Sequence, residues 1–255
     1  MTNFRLIFSS RVLAAILWVA ITAVWFGSRV DYIGGRPYTT AWGYDPKIYD
    51  PHRVSDPVAY SVFRHACESL YFEADDGQLY GVLAEDRFEY NEEGDLVSVI
   101  LRSDVHFHDG TALTTSAVKD SFERLKLHGV SPLYEQLKDV KIIVRDAVTL
   151  EFHLPTPNRD FVRLVLSNPY AAIVNDVNRD DSIFVNCTGP YKFVEELYRP
   201  DAEIVLVRHK DYLWPPSIFS NRGPATIAQL HFLFIPDRKE RFDRLLGGEL
   251  CSLSP

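Results

Sequence analysis

Apolar and polar positions follow two rhythms along this chain, and each change of rhythm marks an element. Between Val58 and Leu70, the residues Val62, Phe63, Ala66 and Leu70 recur at helical spacing, which predicts an amphipathic helix after the break at Asp50-Pro51-His52. From Leu96 the period drops to two, with Leu96, Ser98 and Ile100 on one face and Val97, Val99 and Leu101 on the other. That run predicts a strand buried on both sides. Val105 and Phe107 continue the alternation until Asp109-Gly110 supplies a turn. Thr114 stands where an N-cap belongs, ahead of Val118, Phe122 and Leu125 at i, i+4 and i+7, although Ala117 occupies the place usually taken by an acid.

Val140, Ile142 and Val144 alternate, Arg145-Asp146-Ala147 turns, and Val148, Leu150, Phe152 and Leu154 alternate again, the pattern of a hairpin. A second hairpin is expected from Tyr191–Val194 and Glu203–Val207 around Arg199-Pro200-Asp201. Ile227 to Ile235 reads as a further strand. Asp237 then caps a helix carrying Phe242, Leu245 and Leu246, closed by Gly247-Gly248. The chain is therefore mixed α/β, without repeats or low-complexity tracts. The apolar start at Leu250 is expected to lead into another pairing strand, so the chain reads as stopping inside a fold.

The first 27 residues differ. Arg5 and Arg11 precede an uncharged run from Val12 to Gly27, the polarity of a signal sequence or signal anchor. At 1.5 Å per residue that run covers about 24 Å of a roughly 30 Å hydrocarbon core, so Phe4 to Phe8 or the residues after Gly27 would have to contribute. Trp25, Phe26, Gly27 and Ser28 offer bulky side chains where cleavage wants small ones, which favours an uncleaved anchor over residues 4–27, exporting the body beyond Arg36. Ser28 to Pro37 reads as a linker, and residues 1–37 form one signal-anchor and linker unit.

The remaining body is rich enough in apolar residues for a real core, 46% of the 255-residue chain. A net charge of −8 without a Lys/Arg block excludes nucleic acid as a partner class. Three cysteines are too few for a disulfide scaffold or zinc ribbon, but in an oxidising compartment Cys67 and Cys187 are the pair expected to bridge. Asn186-Cys187-Thr188 matches a glycosylation triplet that is common by chance.

Several short pieces then occur in a fixed order. They are Tyr49-Asp50-Pro51-His52, Glu68-Ser69-Leu70-Tyr71, Leu83-Ala84-Glu85, Leu101-Arg102, Val105 through Thr111, Val118 through Phe122, Thr188-Gly189-Pro190-Tyr191, Arg208 through Trp214 and Leu246 through Glu249. Taken together, over about Tyr49 to Glu249, they resemble the family 5 extracellular solute-binding proteins, which serve dipeptide, oligopeptide and nickel ABC importers. The resemblance implies a two-lobed, periplasmic-binding-protein-like (class II) α/β fold in which a mixed-sheet ligand lobe carries an inserted α/β subdomain. Mapped here, residues 38–56 plus 186–255 form part of the ligand lobe and 57–185 the inserted subdomain, with the second ligand lobe missing. Because a cleft gains affinity by burying ligand between two surfaces, a single lobe is expected to bind peptides only weakly.

The same layout implies that Trp42, Gly43, Tyr44, Thr188, Gly189 and Tyr191 face the cleft, against a reading in which Trp42 and Tyr191 are simply core or rim aromatics. Peptide or a related small molecule is the implied ligand, and ABC permease subunits the implied protein partner. No cofactor is expected. His106 and His108 share one side of a strand but lack an evident third ligand, so no metal site is assigned. Asp75-Asp76-Gly77 and Glu92-Glu93-Gly94-Asp95 lack calcium-loop spacing, and no Gly-x-Ser-x-Gly elbow or Ser-x-x-Lys signature occurs. The expectation is a membrane-anchored, extracytoplasmic binding component and not an enzyme. The alternative is a shortened, anchored lobe that only docks or has no function.

Overall fold

The computed structural model describes residues 36–175 and 182–253. The anchor read over residues 4–27 lies outside them, and among the described residues no helix is long and apolar enough to cross a membrane. The elements run β1 (Tyr38–Trp42), α1 (Pro57–Phe63), β2 (Tyr71–Glu73), β3 (Leu79–Gly81), β4 (Ala84–Tyr90), β5 (Leu96–Leu101), α2 (Thr115–His128) and α3 (Tyr134–Leu137). They continue with β6 (Lys141–Val144), β7 (Thr149–His153), β8 (Tyr191–Phe193), β9 (Glu203–Arg208), β10 (Gln229–Phe234), α4 (Arg238–Leu246) and β11 (Ser252–Leu253).

Two sheets organise these elements. The first is antiparallel, β4-β5-β7-β6, and its inner face buries Val97, Val99, Leu150 and Phe152 against Val118, Phe122 and Leu125 of α2. Thr114 caps α2 through the Ala117 amide, and Gly129, at φ +61°, ends it in the left-handed conformation glycine tolerates. The second sheet has the order β11-β1-β10-β9-β8, with β1 parallel to both β10 and β11 and the other pairs antiparallel. Its core gathers Ile204, Leu206, Leu230 and Phe232 with Tyr49, Val58, Val62 and Phe63. Both hairpins, the Thr114 and Asp237 caps and the strand near 227–235 stand where the sequence placed them.

Three expectations change. The strand over 96–101 is buried on one face only, with Ile100 exposed, because nothing covers the outer side of an antiparallel sheet packed on a single helix layer. The helix from Val58 ends at Phe63, seven residues short of Leu70. The carbonyls of His65 and Ala66, which would continue it, instead accept from Tyr191 N (3.2 Å) and Gly189 N (2.8 Å). Finally, α4 turns Phe242 and Leu246 outward and buries Arg241, whose Nη1 donates to the carbonyls of Ile235 (2.7 Å) and Pro236 (3.0 Å). Arg241 thereby closes the strand-to-helix corner.

A buried ion pair joins the two cores. Arg124 of α2 donates to Asp50 Oδ1 (3.1 Å) and Oδ2 (2.5 Å) in the loop before α1, and both side chains are buried. Arg124 also meets His52 Nδ1 (3.1 Å), leaving His52 Nε2–H to donate to the Ala172 carbonyl (2.9 Å). Burial drives His52 down to about 4, so it stays neutral.

Candidate functional site

β1 ends at Trp42, opposite Phe234, and the Ile235 amide extends the pairing by donating to the Trp42 carbonyl at 2.8 Å. Parallel strands place their C-terminal ends where α/β sheets receive ligands. At that end Gly43 lies against α4, since a Cβ there would come within 3.5 Å of the Arg241 guanidinium. Tyr44 is exposed, and its hydroxyl donates to Asp56 Oδ2 at 2.7 Å, a bond that raises the phenol above its ordinary value. Asp56 Oδ1 simultaneously caps α1 through the Val58 and Ala59 amides (2.8 and 2.9 Å). Trp42 is half-buried, and its indole N–H has no hydrogen-bond partner among the described residues.

The second predicted triplet sits elsewhere. β8 is antiparallel to β9 and β9 to β10, so Tyr191, opposite Arg208, lies at the far end of the sheet from Trp42. Tyr191 is buried with its hydroxyl donating to the Ile227 carbonyl (3.1 Å). At Gly189 a Cβ would sit 2.5 Å from the Ala66 carbonyl oxygen, so only glycine allows that backbone approach. Thr188 is fully buried and its hydroxyl donates to Glu68 Oε2 at 3.1 Å. The structure thus gathers Trp42, Gly43 and Tyr44 on an accessible sheet end and folds Thr188, Gly189 and Tyr191 into the interior, where they touch protein. Next to them Cys67 and Cys187 form the disulfide.

Around that disulfide lies a polar cluster that local sequence pattern did not reveal. Glu68 accepts from Tyr212 Oη (2.5 Å) at one oxygen and from Trp214 Nε1 (3.2 Å) and Thr188 Oγ1 at the other. Burial outweighs these donors and pushes the Glu68 carboxyl up to about 7. The Gly189 carbonyl accepts from both His108 Nε2 (3.0 Å) and His209 Nδ1 (3.3 Å), and burial lowers His108 to about 3. His106 is exposed and lies against the Trp214 ring (6.3 Å), so the two histidines proposed for a shared face serve different neighbours. Among the described residues no group of three His, Cys, Asp or Glu is placed to hold a metal. The sequence signals for the cluster are the ordered pieces beginning at Glu68, Val105, Thr188 and Arg208.

Residues 78–255 match the family described as bacterial extracellular solute-binding proteins, family 5 Middle. The chain belongs to this family. It is 29% identical over 188 residues to the probable D,D-dipeptide-binding periplasmic protein DdpA of Escherichia coli, covering 66% of this chain and 35% of that protein. It is 27% identical over 157 residues to the glutathione-binding protein GsiB of Pectobacterium atrosepticum, covering 57% and 29%. Among solved structures, Helicobacter pylori DppA in complex with the peptide STSA superposes with a TM-score of 0.72 at 22% identity, over 87% of this chain and 47% of that one. Staphylococcus aureus NikA in complex with Ni(L-His)2 gives 0.68 at 20%, over 85% and 43%. At these identities the superpositions establish the fold, which is periplasmic-binding-protein-like. The chain spans about a third of the length of the curated relatives and less than half of the solved chains.

Proposed function

We propose that this family 5 protein acts, without catalysis, as the substrate-binding component of an ABC-type importer, taking up peptide or a related small solute outside the cytoplasmic membrane and presenting it to permease subunits. The family match over residues 78–255 carries this reading. The aromatic end of β1 supports it, because the half-buried Trp42 and the exposed Tyr44 place two aromatic rings beside Gly43 at an accessible sheet end. In this reading Thr188, Gly189 and Tyr191 act on ligand indirectly, by fixing the lobe. Residues 38–56 and 186–255 form the ligand lobe and 57–185 the inserted subdomain, with α1 lending its apolar face to the lobe.

Residues 4–27 hold the protein to the membrane with Arg5 and Arg11 on the cytoplasmic side. The Cys67–Cys187 disulfide fits an oxidising compartment on the outer side. Calorimetric titration of the full chain with di- to pentapeptides tests the reading. Tyr44→Ala should weaken peptide binding at least tenfold without shifting the melting temperature, and Trp42→Ala should weaken it while also lowering the melting temperature, because Trp42 packs against the sheet core. Heats identical in both variants and the parent, or no peptide heat in any of them, would refute it. Mass spectrometry of membrane-extracted protein should recover the peptide ending at Gly27, whereas a mature N-terminus beyond Ser28 would remove the anchor.

A further inference from the structure

Beneath the β8 end of the five-stranded sheet, away from Trp42, a cavity of about 220 Å³ opens at the meeting of the two cores. Its walls are mostly apolar, from Tyr71, Phe72, Val82, Pro190, Tyr212 and Phe219. Glu68 lines it too and is half-buried. Glu68 already receives three hydrogen bonds, from Tyr212, Trp214 and Thr188, all from neutral donors. Two carboxylate oxygens offer about four acceptor positions, so one is left over. Among the described residues no cation forms an ion pair with Glu68: Arg102 acts on it from a distance while bonded to Asp104. Arg64, also on the wall, is exposed and holds its guanidinium over the Tyr60 ring at 5.4 Å.

A half-buried negative charge without a cation is costly, and a cavity beside it is where the missing positive charge would enter. Ser69 and Ser167 reach the same cavity, and both hydroxyls spend their proton on backbone carbonyls, of Asn168 (2.6 Å) and Arg163 (2.5 Å). What they have left is lone pairs, which suit an N–H donor and not an anion. A hard metal cation would want six or more oxygens, which these walls do not offer. The aromatic rings offer a face to a cation carrying an apolar body.

We infer that this cavity binds a small primary ammonium on a short apolar body, with Glu68 as its counter-charge and Ser69 and Ser167 as further acceptors. This site is separate from the sheet end carrying Trp42.

Benzylammonium, titrated into the full chain by calorimetry with the Trp214 indole N–H followed by NMR, tests the inference. Saturable binding on the order of 1 mM or tighter is expected. Benzyl alcohol, the neutral control, should not saturate. Because Glu68 sits near 7, lowering the pH from 8 to 6 should weaken benzylammonium binding about tenfold. Glu68→Gln should abolish that pH dependence and weaken binding at pH 8 by tenfold or more. Phe219→Ala alters only an exposed wall, so it should weaken binding while leaving the melting temperature in place. Equal binding of benzyl alcohol, affinity unaffected by Glu68→Gln and Phe219→Ala, or no saturation by about 10 mM would overturn the inference.

Discussion

Arg124→Met asks whether the buried ion pair is a strut between the two cores. In the parent, Asp50 is fully buried and its carboxylate takes two bonds from Arg124 and one from the His52 amide (2.9 Å). Burial pushes against ionisation, yet these bonds hold the Asp50 carboxyl below its ordinary value. Methionine keeps the length of the stem but leaves a buried anion facing apolar atoms, which costs about 3–5 kcal/mol. For a body of this size that corresponds to a drop in melting temperature of about 6–20 °C. Urea unfolding followed by circular dichroism would give the free energy, and unchanged m-values would show that the native state kept its compactness. Asp50→Asn alone should also destabilise, while the Asp50→Asn/Arg124→Met double variant should lose less than the sum by about 1–3 kcal/mol. A loss below about 1 kcal/mol for Arg124→Met, with an additive cycle, would mean that water reaches the pair and that the two cores are joined by packing alone.

Phe152, fully buried against Phe122 and Phe161 (ring centroids 5.3 and 5.8 Å), should cost about 3–5 kcal/mol when replaced by Ala, and a change near zero by urea unfolding would mean that β7 has the wrong register. Reducing the disulfide, which closes a loop of sequence separation 120, should destabilise by up to about 5 kcal/mol in the chain-entropy picture; a melting temperature unmoved by dithiothreitol would refute a structural role. His52, His65 and His108 are held neutral to about 4, 4 and 3, so an unfolded chain that protonates near 6.5 gains as pH falls below that value, while Glu68, raised to about 7, works the opposite way above its ordinary value. From these four groups alone, three protons against one give stability that falls on acidification from about pH 6.5 to 4.5 by about 2.7 kcal/mol per unit, the lowered His209 and His231 adding in the same direction, and urea titrations showing stability rising over that interval would contradict the burial of these histidines.

How much of this was legible depended on the range over which each feature is decided. The Thr114 cap, the 140–154 hairpin and the strand at 229–234 are settled by a few neighbouring residues, and they were read correctly. The end of α1 is settled far along the chain, where the backbone at Gly189 and Tyr191 captures the carbonyls of Ala66 and His65, so helical spacing through Leu70 does not carry the helix on. Periodicity shows which face of α4 is apolar, but burial went to Arg241, whose stem and donors close the corner after β10. For the site, Trp42, Gly43 and Tyr44 enter only through the layout the family resemblance implies, and the structure leaves them at an accessible sheet end. The role of Thr188-Gly189-Tyr191 was not legible, because a glycine needed for a backbone approach looks the same in sequence as one needed for ligand.

The ordered pieces that mark the family converge on scaffold more than on ligand surface. Thr188, Tyr212 and Trp214 spend their donors on Glu68, and Gly189 spends its carbonyl on His108 and His209. Groups satisfied in this way are unavailable to solute without breaking a bond inside the protein, at a cost of about 1–3 kcal/mol for each buried group left unpaired. Replacing them should alter assembly first and binding second. At the end of β1 the indole N–H of Trp42 has no partner among the described residues, and the Tyr44 hydroxyl is exposed on a single bond to Asp56. A solute that competed for the exposed Tyr44 hydroxyl would face no such penalty, whereas the Trp42 N–H is buried and could be reached only after a local rearrangement. Differences in solute preference between members sharing this scaffold are therefore expected at exposed positions like Tyr44, and replacing Tyr44 alone should change which peptides bind while leaving the unfolding free energy within about 0.5 kcal/mol.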